Sequence, residues 1–424
     1  MDIRVVKSKL NGSIAVPGSK SHSIRAAVCA MLGKGISLIH SPLNSEDTRS
    51  CLNAASHYGA EVVTSPDMWT ITGTGGKLRK PKGMIDLGNS GTSLRILSGI
   101  AAAMDFESRF DGDASLRTRV MEPLLEALTV LGATVESTSG KCPLSISGPL
   151  KGGEVTIDGT SSQFVTALLF AAPLATGEVK IKVNKLNEKP YVELTLDWLR
   201  RLGIKFTVSE DLHYFTIPGM QTYPSFQWTI PADFSTAAFP LAAAAITGSN
   251  IIIRNLNFDD LQGDKAVFDF FRKMGMRIET KGNSTSVMVG DDGLKGIDID
   301  LNSTPDALPA MAAAAVFSRG TTRLLNVPQT RIKETDRIAC MCQELNKMGA
   351  VISELPDGLV IEGTPLHGAV VDGHGDHRIV MALALAGLGA DGETIVTGAE
   401  AAAVTYPDFV NDFRKIGASI EVIK

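Results

Sequence analysis

Two kinds of hydrophobic pattern alternate along the chain. The first places apolar residues on one helical face, then a Gly, then apolar residues at every second position. It occurs as LNAASHYGAEVV, LLEALTVLGATVE, LDWLRRLGIKFTV, FDFFRKMGMRIET, CQELNKMGAVISE and VNDFRKIGASIEV. The spacing predicts an amphipathic helix that closes on a left-handed glycine and runs into a strand. The glycines are Gly59, Gly132, Gly203, Gly275, Gly349 and Gly417, separated by 73, 71, 72, 74 and 68 residues. The second pattern is a run of small and apolar residues with no polar face, which predicts a helix buried on all sides. Six such runs open at Ser19, Asn89, Ser161, Asp233, Asp306 and Asp376, at intervals of 70, 72, 72, 73 and 70 residues. Ser, Asn and Asp at these positions suit a helix N-cap.

The two series interleave, so the chain reads as six units of about 70 residues, each with a buried helix, an amphipathic helix and strands between them. A length of 424 residues exceeds what one hydrophobic core usually spans. Three units in each of two α/β domains is the expected arrangement. Buried helices running side by side would gather unpaired N–H groups and partial positive charge at their N-termini. Two such faces opposed across a cleft would suit anions. A six-repeat solenoid is the structural alternative, but solenoid repeats are usually shorter, and their helices seldom open with so many Arg and Lys.

Composition narrows the function class. Hydrophobic residues make up 44%, charged residues 21%, and the net charge is −5, which argues against a protein built for nucleic acid or anionic membrane. Cys29, Cys51, Cys142, Cys340 and Cys342 are odd in number and include no CxxC, as expected of reduced thiols in a cytosolic protein. The opening MDIRVVKSKLNGSIAV alternates like a strand and has no leader composition. No apolar run has the length and flanks of a membrane span.

Charge collects where the buried helices start. PGSKSHSIRA carries Lys20, Ser21 and Arg25. GNSGTSLR carries Asn89, Ser90, Gly91, Thr92 and Arg95. GDASLRTRVMEPL offers Arg117 and Arg119, and the third helix opens with Ser161, Ser162 and Gln163. NVPQTRIKETDR holds Arg331, Lys333, Glu334, Asp336 and Arg337, and the sixth helix opens Asp376, His377, Arg378. Arg at a helix start is electrostatically unfavourable and needs an anion or carboxylate nearby. Pairing of Asp336 with Arg337 and of Asp376 with Arg378 would be the purely structural explanation. Ser and Gly flanking Lys and Arg is the composition that holds phosphate oxygens with backbone N–H and side chains together. PGSKS lacks the spacing of a nucleotide-binding P-loop. His374, Asp376 and His377 are possible metal ligands, but no third ligand set stands out, so no metal is expected.

PGSKSHSIRA, LGNSGTSLR, TSSQF, RIKETDR and DHR, in this order and spacing, resemble the enolpyruvyl transferase family of 5-enolpyruvylshikimate-3-phosphate synthase, over essentially the whole chain. The resemblance implies six βαβαββ units, with one domain over 19–230, a discontinuous one over 1–18 plus 231–424, and the active site in the cleft between them. It implies transfer of the enolpyruvyl group of phosphoenolpyruvate to the 5-hydroxyl of shikimate 3-phosphate, with release of phosphate and without metal or redox cofactor. By motif, Lys20, Gly91, Arg119, Arg337 and Arg378 would bind phosphoenolpyruvate. Ser21, Arg25, Ser161, Ser162, Gln163, Asp306 and Lys333 would bind shikimate 3-phosphate. Asp306 would take the hydroxyl proton, and Glu334 with Lys20 would handle the proton at C3. The expected partners are these two small molecules, with neither nucleic acid nor membrane, and the expected form is a cytoplasmic monomer.

Three positions depart from the family pattern. Val120 stands where Pro is usual, which loosens that loop without removing Arg119. Glu188 stands where a Ser hydroxyl usually meets the substrate phosphate, and a carboxylate there repels phosphate unless it turns away or pairs with Lys185 or Lys189. Val404 replaces a Lys that faces phosphoenolpyruvate in many members. UDP-N-acetylglucosamine enolpyruvyl transferase shares the fold, but its catalytic Cys is missing from GDASLRTRVMEP, and Lys20 is followed by Ser21 rather than Asn. A non-catalytic anion binder is the other alternative. Retention of both Asp306 and Glu334 argues against it.

Overall fold

The computed structural model describes residues 1–423. The chain divides into two compact units, one over Gly18–Ile230 and the other made of Met1–Pro17 and the residues from Pro231 onward. Each has its own core. One draws on residues from Ile24 to Ile230, the other on Ile3–Val16 and Ala232–Ile420.

Among the described residues, twelve α-helices alternate as the hydrophobic pattern requires. The all-buried series is α1 (Lys20–Leu32), α3 (Gly91–Ala102), α5 (Ser162–Ala171), α7 (Phe234–Thr247), α9 (Leu308–Ala315) and α11 (His377–Gly389). The amphipathic series is α2 (Glu46–His57), α4 (Glu122–Val130), α6 (Lys189–Arg201), α8 (Ala266–Met274), α10 (Arg337–Lys347) and α12 (Phe409–Lys415). Each amphipathic helix ends beside its predicted glycine, and all six glycines have φ between +70° and +111°. An L-residue with a Cβ is strained there.

Six four-stranded sheets accompany the helices, each with one parallel and two antiparallel pairings. The unit at 84–147 shows the βαβαββ order plainly. Met84–Asp86 leads through α3 to its parallel neighbour Ser108–Asp111. That strand leads through α4 to the hairpin Thr134–Thr138 and Lys141–Ser147. Three units contain a strand distant in sequence. Gln227–Thr229 lies parallel to Ile36–His40, and Ile3–Val6 sits between Glu393–Thr397 and Ser419–Val422. Asn11–Ala15 opens the unit of α7 by pairing with Asn250–Arg254, with all of Gly18–Ile230 inserted between that strand and its helix.

The buried helices pack against one another within each unit. α3 lies against α5 and α1, and α7, α9 and α11 contact one another. Small residues set the spacing. A Cβ at Gly99 of α3 would lie 2.5 Å from the carbonyl oxygen of Ala167 on α5, so even alanine would push the helices apart.

Two predicted helix starts shift. The cap of α3 is Ser90, whose hydroxyl accepts from the N–H of Ser93, rather than Asn89. The Asn89 side chain is occupied instead by Asp113 and Arg119. Asp306 is not a cap. It lies in a 3₁₀ turn, Pro305–Ala307, ahead of α9, because its carboxylate serves two arginines.

Candidate active site

In the unit Gly18–Ile230, the starts of α1, α3 and α5 carry the predicted binding residues. Ser19 caps α1, so Lys20, Ser21 and Arg25 fall on its first two turns. The Lys20 ammonium lies 3.1 Å from the Asp47 carboxylate. Arg25 is only 2% exposed, and its hydrogen bonds go to neutral oxygens. Nη1 donates to Ser21 O (3.0 Å), Nη2 to Tyr191 O (3.1 Å), and Nε and Nη2 to Thr195 Oγ1 (3.1 and 2.9 Å). Burial without a facing carboxylate pushes the guanidinium pKa down to about 10. Such a cation gains strongly from an incoming anion.

Arg95 and Arg119 flank Gly91. Arg95 donates to Gln163 Oε1 (2.9 Å) and to the carbonyl of Val120 (3.2 Å), and lies over the Phe164 ring. Gln163 in turn donates to Thr92 Oγ1 at 3.2 Å. Arg119 donates to Asn89 Oδ1. A Cβ on Gly91 would collide with the terminal nitrogens of both arginines. Arg117 is turned away and binds Asp111. Ser161 caps α5 by accepting from the N–H of Gln163.

Ser162 holds an unexpected partner. Its N–H and hydroxyl both donate to the Glu188 carboxylate, at 3.2 and 2.6 Å. Glu188 turns to the residue expected to hold the acceptor.

In the other unit the RIKETDR and DHR segments meet Asp306. Arg337 opens α10, is 1% exposed, and is ringed by three carboxylates. Nε lies 2.7 Å from Asp376, Nη1 2.8 Å from Asp306 and Nη2 2.6 Å from Glu334. Burial alone would lower its pKa, but the charges of Asp376, Glu334 and Asp306 outweigh it and raise it. Arg378 donates through Nη2 to the second Asp306 oxygen at 3.0 Å. Its Nε and Nη1 are buried with no hydrogen-bond partner among the described residues. Burial opposes ionisation of Asp306, yet Arg378, Lys333 and Arg337 hold its carboxyl far below the ordinary range.

The structural pairings differ from those the sequence suggested. Asp376 binds the Arg337 side chain and also accepts from the Thr335 hydroxyl and the backbone N–H of Arg378. Asp336 caps α10 and pairs with Arg331, which is also fixed by Glu354 and Pro356. His374 Nε2 donates to the Glu344 carboxylate at 2.9 Å. Among the described residues no cluster of three or more His, Cys, Asp or Glu has a metal-holding arrangement. Val404 is buried at the end of a 3₁₀ turn, Ala399–Val404, that packs on α11.

Sequence reasoning passed over two groups. Thr195 and Thr166, which fix Arg25, look like ordinary helix-interior residues and carry no signal. Glu344 is fully buried and accepts from Lys347, His374 and the N–H of Asp372, tying α10 to the loop before α11. An acidic residue on the apolar face of CQELNKMG was the available clue.

Known proteins resemble this chain along its whole length. A 3-phosphoshikimate 1-carboxyvinyltransferase of Ruminiclostridium cellulolyticum is 47% identical, with all of both chains covered. One of Methanocella arvoryzae is 44% identical over the same full coverage. A solved EPSP synthase from Acinetobacter baumannii superposes with a TM-score of 0.83 at 29% identity, again covering both chains fully. Residues 6–413 match the family model for EPSP synthase (3-phosphoshikimate 1-carboxyvinyltransferase), and the chain belongs to that family.

Proposed function

We propose that this protein transfers the enolpyruvyl group of phosphoenolpyruvate to the 5-hydroxyl of shikimate 3-phosphate, releasing phosphate by addition and elimination through a tetrahedral intermediate. The observation that carries this reading is the Asp306 cluster. Two carboxylates able to exchange protons, Asp306 and Glu334, are interleaved with two buried guanidinium groups, and Arg378 has donors with no hydrogen-bond partner among the described residues. An anion binder has no need of the carboxylates, whereas an addition–elimination must both neutralise anions and move protons.

Arg25, with Ser21, Ser161, Ser162, Gln163 and Lys333, is assigned to shikimate 3-phosphate. Lys20, Gly91, Arg119, Arg337 and Arg378 are assigned to phosphoenolpyruvate. The free donors of Arg378 accept the incoming anion first. As its charge is drawn away from Asp306, the Asp306 carboxyl regains basicity and can take the hydroxyl proton. Glu334 and Lys20 then serve the proton at C3, and elimination of phosphate restores the double bond. Among the described residues no helix is long and apolar enough to cross a membrane. The five cysteines, all free in the structure, fit the reading of a cytoplasmic biosynthetic enzyme.

Phosphate release from phosphoenolpyruvate tests the reading, with shikimate 3-phosphate as acceptor and shikimate and UDP-N-acetylglucosamine as controls. Release is expected with shikimate 3-phosphate alone. Asp306→Asn and Glu334→Gln should each lower kcat by roughly 100-fold or more. Full turnover in both variants would remove these residues from the chemistry.

A further inference from the structure

Glu188 combines three features that an ordinary helix-flanking acid lacks. It is 1% exposed. Its backbone is left-handed, with φ 55° and ψ 41°, a conformation uncommon for a long side chain and retained where the surroundings over-determine it. Its carboxylate takes both the N–H and the hydroxyl of Ser162 at the start of α5. Those donors form the kind of anion cradle a helix start provides.

Arg25 belongs to the same neighbourhood. It donates to the carbonyl of Tyr191, and the N–H of Tyr191 donates to the carbonyl of Glu188. The first turn of α6 thus links a buried guanidinium bonded to neutral oxygens with a buried carboxylate seated on Ser162. We infer that Glu188 is a resident anion in the acceptor's phosphate subsite, and that it sets how tightly the phosphorylated acceptor binds. The inference rests on the assignment of Ser162 and Arg25 to shikimate 3-phosphate made above.

The physical consequence is competition. A phosphate reaching Ser162 must displace the carboxylate, and the displaced carboxylate remains a like charge close by. Glu188 therefore weakens the phosphorylated acceptor selectively and leaves an unphosphorylated one largely unaffected. It acts on affinity rather than on the bond-making step, so its signature is in KM and not in kcat.

The test is calorimetric titration of shikimate 3-phosphate and of shikimate into the full-length wild type, Glu188→Gln and Glu188→Ser, with steady-state kinetics on each. Gln keeps the size and can still accept from Ser162, so it preserves the local fold, and a gain shared by Gln and Ser isolates the charge. The expected result is at least roughly tenfold tighter binding of shikimate 3-phosphate in both variants, with a matching fall in KM, unchanged kcat and unchanged shikimate binding. Wild-type binding with unchanged or weaker binding in both folded variants overturns this inference alone. No heat with shikimate 3-phosphate in any of the three folded proteins overturns both the inference and the function proposed above.

Discussion

Arg25 and Arg337 are both buried guanidinium groups, yet removing each should have opposite consequences. Arg337 neutralises Asp306, Glu334 and Asp376. Arg337→Ala would strand those carboxylates and should lower stability by about 3–5 kcal/mol, measured by denaturant unfolding. Arg25 faces no carboxylate in its hydrogen-bonding shell, and its ionisation is already disfavoured by burial. Arg25→Gln should shift the unfolding midpoint far less, while raising KM for shikimate 3-phosphate by roughly 100-fold. Asp306 adds a pH signature. Its folded-state carboxyl is held below the ordinary value, so its contribution to stability is complete above the unfolded pKa of about 3.9 and is lost as pH falls toward the folded one. The stability difference between wild type and Asp306→Asn should stay level from pH 7 to about 5 and narrow only in stronger acid. The residue types of this cluster were legible from RIKETDR, DHR and the Asp306 that opens the fifth buried run. The partner choices were not, because Asp376 lies 39 residues beyond the arginine it binds and only the folded chain brings them together.

Elements position these groups, and two tests address that. Gly91 lets α3 begin directly under Arg95 and Arg119. Gly91→Ala should displace both arginines and raise KM for phosphoenolpyruvate by about tenfold or more, with folding nearly unchanged, since the displaced atoms are side-chain tips. Glu344 is the tie between α10, which carries Arg337, and the loop that leads to Arg378. Burial opposes its charge, but Lys347, the Asp372 N–H and His374 hold its carboxyl below the usual range. Glu344→Ala should cost ~3 kcal/mol in unfolding free energy and raise KM for phosphoenolpyruvate, although the side chain touches no substrate. Helix existence and order were readable from periodicity, because apolar spacing and terminal glycines are local signals. The cap at Ser90 and the turn holding Asp306 were not, since competing side-chain partners decided them. The contact of Glu188 with Ser162 was equally hidden. Sequence showed the unusual acid, but its direction depends on a left-handed backbone at the start of α6.

At the scale of the molecule, the sixfold repeat was visible in the periodicity, whereas the joining of residues 1–18 to the later units was implied by the family resemblance alone. Ile3–Val6 and Gln227–Thr229 each join a sheet whose other strands lie far along the chain, and short strands carry no mark of such partners. The two cores share no residue, so residues 18–230 expressed alone should fold cooperatively and show a single thermal transition. That fragment should bind shikimate 3-phosphate more weakly than the whole protein and release no phosphate from phosphoenolpyruvate.

The strand Ile3–Val6 lies between two strands that include Val396 and Val422, its register partners on either side. Translation delivers it before the inserted unit Gly18–Ile230 and delivers its neighbours after that unit. On the ribosome the inserted unit can complete its core while this opening segment still waits without a mate. The order of synthesis therefore runs against the order of closure, and a strand made ahead of the inserted unit is locked in place only after the whole of that unit has been made.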